Sequence, residues 1–320
     1  MNPAELPTVA VSEPSTLTVN GPATAAAAGP ATVTGFRTDR GFLITRVMPA
    51  VCLLVILLTL VLAPASERST IVFGTLVAMA AGLASTAIGV YGGVLVPGLL
   101  LMGVDPRFAA AASLFLQLLV IPIGAGAHYR LGNVTRSIAL PLILGGVVGA
   151  FAGPFFASML PKDVIARLVS LLIVGVGLVV LATLRWGGLG TVRPPGDVPT
   201  ARVGGIGLVA GFSSGLSGAG WGPIGVKLLI LSRLEPRMAI GSSLFGRVFM
   251  AAAAVLGYLL SATAFAGIRP DYWLLIPLLA GSVAAMMPGA AVLSRLGRER
   301  ATVVITLLSI SLALPTLIWG

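Results

Sequence analysis

The chain has 320 residues, of which 57% are apolar and only 9% charged, against roughly a quarter charged in an ordinary soluble domain; a water-soluble fold of this size is excluded because too few charges exist to cover its surface. The formal charge of +10 does not mark a nucleic-acid partner, since the arginines lie in short loops between apolar runs and not along one face. With one cysteine, Cys52, and one histidine, His128, no disulfide, zinc cluster or iron–sulfur site is available, and neither a metal nor a cofactor is expected.

Residues 1–46, rich in Ala, Pro and Thr, read as a disordered cytoplasmic arm. Residues 47–64 are predicted as an extra transmembrane helix, retained rather than cleaved, because the polar leader before it is far longer than the n-region of a signal peptide. The next apolar stretch, 71–102, would be about 50 Å of helix at ~1.5 Å per residue, too long for one crossing of a ~30 Å hydrocarbon core. Gly89, Gly92, Gly93 and Pro97 lie near its centre, so it is predicted as a broken, re-entrant hairpin. Ordinary spans follow at 108–127, 136–160 and 164–184, and then a Pro- and Gly-rich linker at 185–202.

After the linker the pattern restarts. Residues 203–232 are broken at Gly218, Gly220, Gly222 and Pro223, and spans follow at 238–262, 272–293 and 301–319. Ala81, Gly82, Ser85, Gly89 and Gly93 recur 129 positions later as Ala210, Gly211, Ser214, Gly218 and Gly222. With one further residue inserted, Asp105-Pro106-Arg107, Ala109 and Ser113-Leu114-Phe115 recur as Glu235-Pro236-Arg237, Ala239 and Ser243-Leu244-Phe245. This is an internal duplication, with repeats at 71–184 and 203–320. The runs are apolar on all sides and do not alternate, so helices, not barrel strands, satisfy the backbone. The predicted fold is an all-α polytopic membrane protein of two repeats, each a hairpin plus three spans, with one extra N-terminal helix.

An odd number of crossings per repeat makes the two copies inverted. Hairpins also give the stronger positive-inside bias. They place thirteen arginines on one face against Arg68, Arg107, Lys162, Arg167 and Arg269 on the other. The N-terminus is then expected in the cytoplasm and the C-terminus outside.

All ten carboxylates fall in the arm, in loops or at helix ends, which disfavours a cation substrate or carboxylate-based proton coupling. Two cations lie inside apolar sequence. Arg247 is ten residues beyond Arg237, about 15 Å along a helix and near the midplane, where it costs about 2.5–3.5 kcal/mol. It is read as facing an anion; the alternative is a structural partner for backbone carbonyls at a helix end. Lys227 either snorkels to the headgroups or shares that role. Gln117 is the counterpart of Arg247 in the first repeat, so a central site with one charged and one neutral hydrogen-bonding wall is expected.

The half-helices after the breaks, beginning near Gly92 and Gly93 and near Gly220 and Gly222, would present unpaired backbone N–H groups to an anion. Ser85, Thr86, Ser113, Ser213, Ser214, Ser217 and Ser243 offer hydroxyl donors, although such residues also mediate plain helix packing. Tyr91 and Trp221 either gate this cavity or fill it. The Pro-Arg pairs after Asp105 and Glu235 read as helix starts, and His128 as a solvated interfacial residue.

Gly89-Val90-Tyr91-Gly92-Gly93 with Pro97, Gly218-Ala219-Gly220-Trp221-Gly222-Pro223, and the repeated Pro-Arg-x-Ala-x-x-x-Ser-Leu-Phe resemble the TauE/SafE sulfite-exporter family of membrane permeases over about residues 71–319. The resemblance implies a bacterial inner-membrane transporter for sulfite, sulfonates or related organosulfur anions, with lipid and a small anion as its partners. Export agrees with the membrane potential, which favours outward movement of one negative charge by about 2.3 kcal/mol per 100 mV. Two other readings stand beside it: an anion channel, and an intramembrane protease in which Ser217 of Gly215-Leu216-Ser217-Gly218 is the nucleophile and His128 the base.

Overall fold

Ten α-helices are bounded within the described residues of the computed structural model, which are 47–185, 198–219, 234–261, 272–296 and 298–319 with isolated positions between 225 and 232. They are α1 (Met48–Leu62), α2 (Arg68–Ile88), α3 (Gly92–Leu101), α4 (Pro106–Arg130), α5 (Arg136–Met159), α6 (Lys162–Arg185), α7 (Thr200–Ser217), α8 (Pro236–Leu260), α9 (Tyr272–Leu296) and α10 (Arg298–Trp319). The N-terminal arm, the centre of the linker, and Gly220, Trp221, Gly222 and Lys227 lie outside the described residues.

Five of these helices are long and apolar enough to cross a membrane, through segments Ala65–Thr86, Arg136–Met159, Lys162–Arg185, Met238–Leu260 and Glu299–Trp319. Leu76, Leu140, Leu178 and Leu259 on their outer faces are each more than half exposed, a surface only lipid can solvate. The chain is an all-α polytopic membrane protein.

The proline starts behave as their sequence suggests. Pro106 and Pro236 open α4 and α8, where a missing N–H costs nothing. The Arg107 backbone N–H donates to Asp105 Oδ1 at 2.9 Å, and its guanidinium donates to the carbonyls of Ala157 and Leu160 at the end of α5. At this C-terminal end Ala157 O has only the long bond from Leu160 N–H at 3.4 Å, so Arg107 is structural.

Both glycine breaks close in the same way. Gly89 ends α2 at φ +73° with its N–H on Ser85 O at 3.0 Å, and Gly218 ends α7 at φ +61° with its N–H on Ser214 O at 2.8 Å. This left-handed cap is open to glycine at no steric cost, which explains why Ser and Gly recur together in both copies. Beyond Gly89 the chain doubles back. Gly98 of α3 faces Val77 of α2, and Met102 faces Gly74; the contacts advance along α3 while retreating along α2, the signature of an antiparallel hairpin. The corresponding return after Gly218 lies outside the described residues.

Alanine at the two caps is expected to cost different amounts. At Gly89 an added Cβ meets nothing nearer than Arg247 Nη1 at 3.8 Å, leaving only the left-handed penalty of about 1–2 kcal/mol. At Gly218 the Cβ would overlap the backbone of Ala110, adding a clash of about 1–3 kcal/mol. Thermal unfolding in detergent is expected to rank wild type above Gly89→Ala and Gly89→Ala above Gly218→Ala.

Several helix contacts are preserved when equivalent helices of the duplication are exchanged, although α8 also packs closely on α5 while α4 barely touches α9. The first helix of each copy packs on the third long helix of the other, α2 on α9 and α7 on α5, while α4 packs on α8 and α6 on α10. Equivalent glycines make equivalent approaches: a Cβ on Gly82 would strike the Ser282 carbonyl, and one on Gly211 the Gly146 carbonyl. The extra helix α1 lies on α9 through Cys52, Ala280 and Ala284.

Candidate functional site

Between the two breaks, α4 and α8 bring together two polar pairs, Ser113 with Gln117 and Ser243 with Arg247, each pair one helical turn apart. All four residues are buried; Gln117 is 2% exposed and Arg247 4%. The spacing that puts each pair on one helix face is the same in both copies, which is why the duplication superimposes Gln117 on Arg247.

Arg247 donates through Nη1 to Gly89 O at 2.7 Å and through Nη2 to Gln117 Oε1 at 2.8 Å. That second bond turns the Gln117 amide nitrogen the other way, and it donates to Gly218 O and to Ser113 Oγ, both at 3.1 Å. Ser113 Oγ also donates to Gly218 O, at 2.7 Å. Each copy thus caps the broken helix of the other: α8 holds the end of α2, and α4 holds the end of α7. Both caps place donors on carbonyls that carry the negative end of a helix dipole.

The breaks themselves touch. Gly92, the first residue of α3, lies against Gly218 O and Ser113 Oγ so closely that no Cβ fits. Val94 and Leu95 both donate to Tyr91 O at 3.2 Å, so α3 begins at this contact.

The charged and the neutral hydrogen-bonding residue expected of a central site, Arg247 and Gln117, are hydrogen-bonded to each other. Their shared bond is available because the glycine contacts draw the copies together. Among the described residues the acceptors of Arg247 are neutral, a carbonyl and an amide, and a guanidinium offers more N–H donors than these two acceptors use. Among the described residues the buried positive charge is therefore hydrogen-bonded but not neutralised.

The other candidate residues divide. Tyr91 is 1% exposed, with its hydroxyl 2.7 Å from Ser282 Oγ; it fills the core between the break and α9. Ser282, whose own hydroxyl returns to Leu278 O at 2.7 Å, carries no mark in the duplicated pattern. Gly93 faces Val90 and, at 3.9 Å, Ser309 Oγ. Ser217 donates to Ser213 O at 2.6 Å and accepts from Ala219 N–H at 3.1 Å, so it serves the end of its own helix. Thr86 bonds back to Leu83 O and Ser213 to Val209 O, both at 2.9 Å. Ser243 is fully buried on α8, while Lys227, Gly220, Trp221 and Gly222 lie outside the described residues. His128, at the end of α4, is 3.3 Å from Asn133 Nδ2. Among the described residues no three His, Cys, Asp or Glu side chains are grouped to hold a metal ion.

Two curated proteins of Bacillus subtilis (strain 168) are similar to this chain. "Probable membrane transporter protein YtnM" is 30% identical over 189 residues, 57% of this chain and 58% of its own length. "Probable membrane transporter protein YdhB" is 29% identical over 171 residues, 52% of this chain and 66% of its own length. The chain therefore spans less than two thirds of either relative. No solved structure matches it. The family profile described as sulfite exporter TauE/SafE matches residues 73–315, which takes in both glycine breaks and all four residues of the polar cluster but leaves out α1, and by that match the chain belongs to the TauE/SafE family of membrane transporters.

Proposed function

We propose that the protein is a permease that carries a small oxyanion, such as sulfite, a sulfonate or a related organosulfur anion, outward across the bacterial inner membrane. The single observation that carries this reading is Arg247: a buried guanidinium whose partners among the described residues are neutral, placed where the two broken helices meet. A permanent positive charge at this depth costs about 2.5–3.5 kcal/mol, and an oxyanion is the ligand that offsets it while using the remaining N–H groups in a charge-assisted fork. The first N–H groups of α3 at Gly92 and Gly93 supply neutral donors at the same break, while the Ser113 hydroxyl and the Gln117 amide N–H groups are engaged with Gly218 O and with each other.

In this reading the two copies run in opposite directions through the membrane, with the N-terminus in the cytoplasm and the C-terminus outside. The bonds from Arg247 to Gly89 and from Gln117 to Gly218 join the copies, so alternating access must break and remake them in each cycle. The family description names sulfite export, and the reciprocal hydrogen bonds between the copies support a site to which both contribute.

The test is flux from proteoliposomes loaded with radiolabelled sulfite, with chloride and methanesulfonate as competitors. Efflux is expected to saturate with internal sulfite, to quicken under an inside-negative potential, and to be inhibited by methanesulfonate but not by chloride. Ohmic currents without saturation would establish a channel instead.

A further inference from the structure

The helix that the family match leaves out does not close onto its neighbour in sequence. Only residues 63–67 separate α1 from α2, yet α1 packs on α9 through Cys52, Ala280 and Ala284. A cavity of about 590 Å³ remains between α1 and α2, lined by Leu60 and Val61 of α1 and by Arg68, Ser69, Val72, Phe73 and Leu76 of α2.

Its chemistry is sorted along its length. Arg68 and Ser69 sit at the turn of the helical hairpin, and Leu76 is eight residues further on, about 12 Å along the helix. Arg68 is exposed and makes no hydrogen bond or ion pair with the described residues. No acidic residue lines the groove; Glu67, next to Arg68 in sequence, is half-buried and not among the lining residues. A cation and a hydroxyl at the membrane surface, with an apolar trough running inward from them, complement a molecule with an anionic head and a hydrocarbon tail.

We propose that this groove binds one anionic phospholipid, with the phosphate on Arg68 and Ser69 and an acyl chain lying along Val72, Phe73 and Leu76 against Leu60 and Val61. Lipid tails cover every outer face of the protein; this position differs in being concave and in having at its polar end a guanidinium with no partner among the described residues. The bound lipid completes the packing between α1 and α2 that the side chains leave open, and so stabilises the folded chain by mass action. The site is independent of the Arg247 cluster.

The test uses the full chain in a neutral detergent, read by native mass spectrometry and thermal unfolding. Phosphatidylglycerol, phosphatidylcholine with the same chains, and glycerol phosphate without chains are each added. One retained phosphatidylglycerol per chain and a raised unfolding midpoint are expected, with much weaker effects from phosphatidylcholine and none from glycerol phosphate. Arg68→Gln is expected to weaken phosphatidylglycerol binding about tenfold, as is Val72→Trp, which fills the trough. Arg300→Gln, at an exposed arginine at the start of α10, is expected to leave binding unchanged. Equal retention of the two lipids overturns the proposal. So does an equal loss in Arg68→Gln and Arg300→Gln, or a stabilisation by glycerol phosphate as large as that by the lipid.

Discussion

Arg247→Gln is expected to abolish transport while leaving the unfolding midpoint of the unliganded protein nearly unchanged. Two opposing effects set that result. The substitution removes charge-assisted bonds to Gly89 O and Gln117 Oε1, each contributing about 1.5–3 kcal/mol. It also removes a charge whose placement in the membrane interior costs about 2.5–3.5 kcal/mol, and replacement of buried ions by neutral groups is often neutral or stabilising. These largely cancel in the unliganded protein. In the liganded protein they do not, because the anion loses its counter-charge, and truncating one partner of a buried charge pair costs about 2–5 kcal/mol, on the order of 100-fold in affinity. If Arg247 served only to cap α2, the outcome would be the reverse: a lower unfolding midpoint and an unchanged substrate affinity for the protein that still folds.

Gly211→Leu is expected to yield no folded protein, whereas Gly205→Leu in the same helix is expected to fold and transport as wild type does. The α5–α7 seam is built backbone to backbone. Added Cβ atoms on Gly145, Gly149, Gly211 and Gly215 would fall on the carbonyls of Gly204, Leu208, Gly146 and Ala150, as in the small-residue packing of membrane helices, where close approach replaces the hydrophobic effect. Overpacking a core commonly costs about 1–3 kcal/mol, and here the obstacle is backbone, which cannot rotate aside. A leucine would part α5 from α7 along the whole seam. Gly205 faces outward, with nothing within 4 Å of an added Cβ, and leucine there gains about 1 kcal/mol in helix propensity over glycine. Size-exclusion profiles in detergent separate the cases; a monodisperse Gly211→Leu peak equal to that of Gly205→Leu would show that the seam does not hold the helices together.

Length and apolarity made four spans legible, those read at 136–160, 164–184, 238–262 and 301–319, whereas those read at 47–64, 108–127 and 272–293 are helices with shorter apolar stretches. Their ends were less so: the fourth helix, expected at 108–127, runs from Pro106 to Arg130, since polar residues continue a helix beyond the hydrocarbon without changing its hydropathy pattern. The first break itself and the antiparallel return of the chain after it were legible, because glycine and proline impose backbone geometry that pattern reading can use, but not that its first arm, Arg68–Ile88, is twice as long as its second, Gly92–Leu101. The cluster was legible only in part. Duplication identified Gln117 and Arg247 as equivalents, but not that they bond to each other, because their contact depends on how closely the copies approach. Their other acceptors, Gly89 O and Gly218 O, are backbone atoms with no sequence signature. The partner of Tyr91, Ser282, is 191 residues away, so its contact had no sequence signature either.

The most direct test of the oxyanion site is isothermal titration of sulfite, and in parallel methanesulfonate, into purified wild type and Arg247→Gln, with unfolding midpoints measured on the same samples. Saturable binding by the wild type that disappears in a variant still folded at the wild-type temperature is the predicted result. Equal affinity in the two proteins would contradict it, and would leave the buried guanidinium as a cap on a broken helix and nothing more.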